Sequence, residues 1–195
     1  MKNIIVVLGI LIGIAAGVFS FYGLFAPVNI QEKEMGPYMF VMKKYVGAYK
    51  DVGPLIDEMY KDLKDADILT SRGLGIYYDD PKVTPDDKTR CIIGRILEDV
   101  DPSRMLELEK KYIIGELPKT NYLVVEFPFK GFPSIIIGIY RVYPKIAKFM
   151  KNHEIPKMPI AEVYDPKAQK IFYIVPIGIN QNVFDYMMGR LDNQG

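Results

Sequence analysis

One strand ending is written twice in this chain, and that repetition constrains the fold more than any other feature. Residues 76–81 read IYYDDP and residues 162–166 read EVYDP. Gly47 lies 31 positions before Tyr78, and Gly131 lies 33 before Tyr164. Each interval holds one helical pattern, and a strand-forming segment follows each Tyr-Asp. Repeats shorter than a domain complete one core by packing on each other. The spacing therefore predicts an α+β fold: duplicated β-α-β-β modules joined edge to edge in an antiparallel sheet, with helices on one face.

Local patterns fill in each copy. Tyr38 opens a strand (YMFVMKKYVGAY), and Asp51 is placed to cap a helix whose Leu55, Ile56, Met59, Tyr60 and Leu63 recur at three and four positions. Strands follow at residues 73–78 and 89–97, separated by the polar loop DDPKVTPDDK. A short helix at 102–110 and a strand at 112–116 end the first copy. The second runs through a strand at 122–127, a helix from Pro133 to Asn152 that Pro144 should kink or divide, and strands at 161–164 and 170–176. The domain is thus expected at 37–177, after a polar linker at 27–36. In the tail at 178–195, Val183, Phe184, Met187, Met188 and Leu191 form a stripe suited to a short helix.

Ahead of the linker, residues 4–26 carry no charge over 23 positions, enough helix to cross a hydrocarbon layer of roughly 30 Å. A cleaved signal peptide is the rival reading. Its apolar core is expected to be about 7–15 residues with small residues two apart at the cut, and Leu24, Ala26 and Pro27 fit that poorly. The expectation is a single-pass membrane anchor behind a three-residue flank, with the side holding the domain unassigned because Lys2 alone biases orientation. Gly9, Gly13 and Gly17 fall four apart, a spacing that lets two membrane helices approach, though glycine is common in such helices anyway.

Charge and composition close several routes. Lys and Arg total 25 against 24 Asp and Glu, a formal net charge of +1, so no broad nucleic-acid footprint is expected. Cys91 and His153 are the only residues of their kinds, which leaves no thiolate cluster, catalytic triad of the usual sort or resident metal or cofactor to expect. With no tryptophan, aromatic surface must come from 14 tyrosines and 10 phenylalanines.

If both helices cover one face, the other is left as an open aromatic trough. Strand alternation sets Glu162 and Tyr164 on one side, and aligning the Tyr-Asp pairs makes Ile76 and Tyr78 their counterparts. Glu162, Tyr164, Tyr78 and Glu126, the charge inside YLVVEF, are therefore the candidate ligand-binding residues. Each has a structural alternative: an edge glutamate discouraging strand pairing, or a tyrosine capping the core. Tyr77, on the opposite strand face, is expected to pack against a helix.

GIYYDDP followed by CIIGRI, and GIYRVYPKIAKFM, PIAEVYD and FYIVPI in the second half, resemble the GyrI-like small-molecule-binding domain family. With the anchor, they are similar to its membrane-anchored branch, which includes the testis-expressed ER-phagy receptor. The resemblance implies two modules around a central cleft, with Glu162 of AEVYD meeting cationic aromatic ligands beside Tyr164. The chain departs from that branch in its tail, where 18 residues follow Ile177 and FDYM ends in methionine, so an autophagy-receptor role is not expected. Nor is a transcription regulator, for want of a preceding DNA-binding helix pair. The expected function is a membrane-tethered, non-enzymatic small-molecule-binding domain for amphipathic or cationic organic ligands. The alternatives are a protein-interaction adaptor on a membrane, or a hydrolase using Glu162.

Overall fold

The computed structural model describes residues 2–178 and 182–192; Met1 and the tail positions 179–181 and 193–195 lie outside the described residues. Helix α1 (Lys2–Phe21) leads to β1 (Gln31–Met35) and β2 (Tyr38–Val46). Then come α2 (Gly53–Asp65), β3 (Gly73–Tyr77), β4 (Arg90–Ile96), α3 (Pro102–Leu108) and β5 (Ile113–Leu117). The second half holds β6 (Thr120–Pro128), α4 (Phe132–Asn152), β7 (Ile160–Asp165), β8 (Lys170–Pro176) and α5 (Val183–Asp192). All strand pairs are antiparallel, in the order β1-β6-β8-β7-β3-β4-β2-β5. That order reads alike from both ends: β2-α2-β3-β4 and β6-α4-β7-β8 occupy equivalent places. They meet where β3 pairs with β7.

Strand alternation divides the core into layers. On one face, Met59 and Leu63 of α2 and Leu108 of α3 pack on Val41, Cys91 and Ile93. On the same face of the other half, Ile137, Val142 and Ile146 of α4 pack on Leu123, Val125 and Ile171. The opposite face corrects the expectation of an open trough. Phe40, Ile76, Ile92, Val124, Val163 and Ile174 are buried there beneath Phe184, Met187 and Met188 of α5. The tail's apolar stripe is the missing cover: burying each such side chain stabilises by about 1.5–3 kcal/mol, far more than a solvated tail returns. The hydroxyl of Tyr78 donates to the Phe184 carbonyl (2.5 Å) and Arg190 donates to the Ile114 carbonyl (2.9 Å), tying α5 down.

Three local expectations also change. The linker contains β1, whose QEKEM sequence shows no apolar alternation because four of its five residues are exposed at the sheet edge. Charged residues suit such an edge because they discourage further strand pairing. Pro144 lies within an undivided α4, at the cost of the amide donor that the Tyr140 carbonyl would have received. Asp51 ends one turn of 3-10 helix, and α2 begins after Val52 with no side-chain cap.

Residues Asn3–Phe21 have a mean hydropathy of 2.8 and are exposed throughout, so α1 is long and apolar enough to cross a membrane. Its exit is held firmly. The Arg141 guanidinium donates to the carbonyls of Gly23 (2.8 Å) and Ala26 (2.6 Å), and Val28 is buried beside α4. Gly23 has φ +101°, and a Cβ there would stand 2.9 Å from the Phe127 ring, so both backbone and space demand glycine.

Candidate ligand site

At the junction of the halves, β7 places Glu162 on the face covered by α2 and α4, between Gly75 of β3 and Tyr173 of β8. Its residue exposure is 1%. A carboxylate this deep needs donors, and it has two: the Tyr143 hydroxyl at 2.6 Å, reaching down from α4, and the Tyr164 hydroxyl from its own strand. Gly75 contributes no side chain, and the Tyr77 ring lies back over it; a Cβ on Gly75 would be 2.8 Å from that ring. Tyr77 in turn stands edge-on to Tyr49, with centroids 5.0 Å apart.

The fourth tyrosine has a different condition. Tyr173 is fully buried, edge-on to Tyr143 with centroids 5.9 Å apart, and its hydroxyl has no hydrogen-bond partner among the described residues. It presses against Gly138 of α4, where a Cβ would stand 2.1 Å from the hydroxyl oxygen. Around one carboxylate there are thus four phenols, of which Tyr77, Tyr143 and Tyr164 are only partly buried.

Electrostatics follow from burial. Loss of water pushes the Glu162 carboxyl up to about 7, although the hydrogen bonds from Tyr143 and Tyr164 pull the other way. The phenols of Tyr143 and Tyr164 are driven well above their ordinary range, first by burial and then by the neighbouring carboxylate. Near neutrality the group exchanges between a neutral acid and an anion ringed by aromatic faces. That combination suits a cation with flat apolar surface.

The other candidates lie elsewhere. Tyr78 belongs to the opposite face, beside α5. Glu126 has Phe172 and then Val163 as cross-strand neighbours, which also sets it on that side of the sheet. There Lys170 and Lys33 hold its carboxyl below the usual range. Gly75 opposite Glu162 makes Tyr77, not Tyr78, the positional counterpart of Tyr164. Aligning the two copies by their Tyr-Asp pairs slipped by one residue, and one residue turns every side chain to the other face. The extra position in YYDDP relative to VYDP was the signal. Tyr143 and Tyr173, which sequence reasoning also missed, carry none in their own segments. Among the described residues, no cluster of three or more His, Cys, Asp or Glu could hold a metal ion.

A palindromic antiparallel sheet with two helices on one face is the fold of a domain of the effector-binding type. The chain belongs to the GyrI-like small molecule binding domain family, whose sequence profile matches residues 28–175. It is similar to testis-expressed protein 264 homolog of Mus musculus, 29% identical over 141 residues, and to testis-expressed protein 264 of Homo sapiens, 26% identical over 141 residues. Each match covers 69% of this chain but only 43% of the relative's own length. Among solved structures, the C-terminal domain of EcmrR superposes with a TM-score of 0.50 at 13% identity, covering 75% of this chain and 94% of that one.

Proposed function

We propose that this domain binds an amphipathic organic cation at the centre of the sheet, with Glu162 as its charge partner and tyrosine rings as its walls, while α1 tethers it to a membrane. The observation that carries the reading is the buried carboxylate itself. A glutamate removed from water and poised near neutrality, beside a glycine and under partly buried tyrosines, is a costly arrangement for stability alone. A guest would enter by displacing Tyr143 and Tyr77, exchanging their ring contacts for its own. The Tyr173 hydroxyl, without a partner among the described residues, is free to serve an acceptor on the guest. Duplication of an ancestral module accounts for the palindromic strand order, and the carboxylate in one copy alone gives the guest a single orientation.

The test is an equilibrium titration of the full chain in mild detergent with ethidium, a flat fluorescent cation, followed by anisotropy. Saturable binding that weakens at least about tenfold in Glu162→Gln is expected, the order of a lost charge-assisted contact. Saturable binding unaffected by that substitution would remove the carboxylate from the role.

A second reading, a protein-interaction module, draws on a different observation. Phe132 and Tyr140 of α4 are 71% and 68% exposed, with Ile136 and Ile139 between them. If these form a docking row, Tyr140→Ala abolishes partner capture while leaving ethidium binding intact.

A further inference from the structure

A surface cavity lies where the chain leaving α1 joins the domain, at the end of β6 and the turn into β8. It is an open recess of about 380 Å³ between Ala26 and Pro27 of the linker, the end of β6 from Glu126 to Pro128, Lys130, and the turn into β8. Its walls are of two kinds. Phe127, Pro128 and Pro27 are apolar, whereas Lys130 and Lys170 bring ammonium groups to the rim. Glu126 is the one carboxylate in the lining, and it is already engaged by Lys170 and by Lys33 at 2.8 Å. Cations outnumber it: Lys170 shares Glu126 with Lys33, and Lys130, bonded to the neutral amide of Gln169, forms no ion pair among the described residues, which leaves positive charge for an anion from outside.

Position singles out which anion. The Lys130 ammonium stands over the Phe21 ring, 5.8 Å from its centroid, and Phe21 is the last residue of α1. The Arg141 bonds to Gly23 and Ala26, and the seat of Gly23 against Phe127 and Pro128, hold this cavity at a set distance from the helix end. A 19-residue helix spans about 28 Å, the thickness of a hydrocarbon layer, so Phe21 falls at its edge and Lys130 at headgroup level.

We infer that this juxtamembrane cavity binds the phosphate-bearing headgroup of an acidic phospholipid, with Lys130 and Lys170 as its cationic contacts and the Phe127–Pro128 wall against its glycerol. This inference rests on the reading of α1 as a membrane span. It is independent of the tyrosine site.

The test uses the full chain reconstituted in phosphatidylcholine nanodiscs with and without phosphatidylserine, released into detergent and weighed by native mass spectrometry. Wild type is expected to retain phosphatidylserine in preference to phosphatidylcholine. Each lysine replaced by glutamine should lower that retention about fivefold, so the K130Q/K170Q pair loses most of it. Glu126→Gln should shift retention the opposite way, which separates a charge effect from damage to the fold. Equal retention of the two lipids, or a double variant that behaves as wild type, overturns the assignment. So does inorganic phosphate binding as tightly as short-chain phosphatidylserine, which would make the cavity a site for free phosphate. Carbonate extraction keeps the two readings apart. Release of the chain sinks the membrane span and the headgroup site together, whereas an integral chain without lipid preference sinks the headgroup site alone.

Discussion

Where β3 and β7 meet, one strand offers Gly75 and its partner offers Glu162, and two residues further along each strand a tyrosine leans back towards the seam. Tyr77 covers a glycine, while Tyr164 donates to a carboxylate. The first half therefore supplies room and the second supplies charge. A symmetric pair of carboxylates in the same place would repel, and a symmetric pair of glycines would leave a neutral dimple; the difference makes one polar centre out of two similar strands.

The comparison breaks most violently if the halves are made alike. Gly75→Glu sets a second carboxyl beside the first and drives its Cβ into the Tyr77 ring, and we expect it to cost on the order of 3–5 kcal/mol. Urea unfolding of the full chain in mild detergent measures it. A loss below about 1 kcal/mol would mean that water already reaches the seam, since only hydration makes a second charge that cheap.

A somewhat smaller effect comes from pH acting on the unequal half alone. The Glu162 carboxyl rises from its ordinary 4.5 to about 7 on folding. Because the folded state holds its proton longer, the associated stability is complete below about 4.5 and is lost as pH climbs through 7, by roughly 3 kcal/mol in all. Unfolding midpoints of wild type should fall across that window, and those of Glu162→Gln should lack this decline. Cation affinity should run the other way, strengthening as the carboxyl ionises.

Tyr78→Phe sharpens the distinction at least cost. It removes the bond to the Phe184 carbonyl, about 1 kcal/mol, and loosens α5. Ethidium affinity should be unchanged, since this hydroxyl serves the opposite face; weakened binding would show that the two faces communicate.

The elements that alternate or recur cleanly were legible in the sequence. YLVVEF, the α2 stripe and the strands flanking each Tyr-Asp stand within a residue or two of where their patterns put them. β1 was not legible, since an edge strand of exposed charges carries no apolar rhythm. The cover supplied by α5 was half legible: its stripe can be read, but the surface that it meets is assembled from both halves. At the site, period-two alternation correctly joined Glu162 to Tyr164. The reach of Tyr143 from α4 depends on how a helix crosses a sheet, which no local pattern encodes.

The Arg141 clasp on Gly23 and Ala26 has a geometric corollary. A chain leaving a helix through a loose tether lets its cargo tumble, but one guanidinium gripping two carbonyls turns that exit into an elbow set at one angle. On the proposed reading of α1 as a membrane span, that elbow gives the sheet a fixed compass bearing relative to the membrane. An amphiphile gliding along that surface would meet the domain from a constant side, so its search would run in two dimensions rather than three.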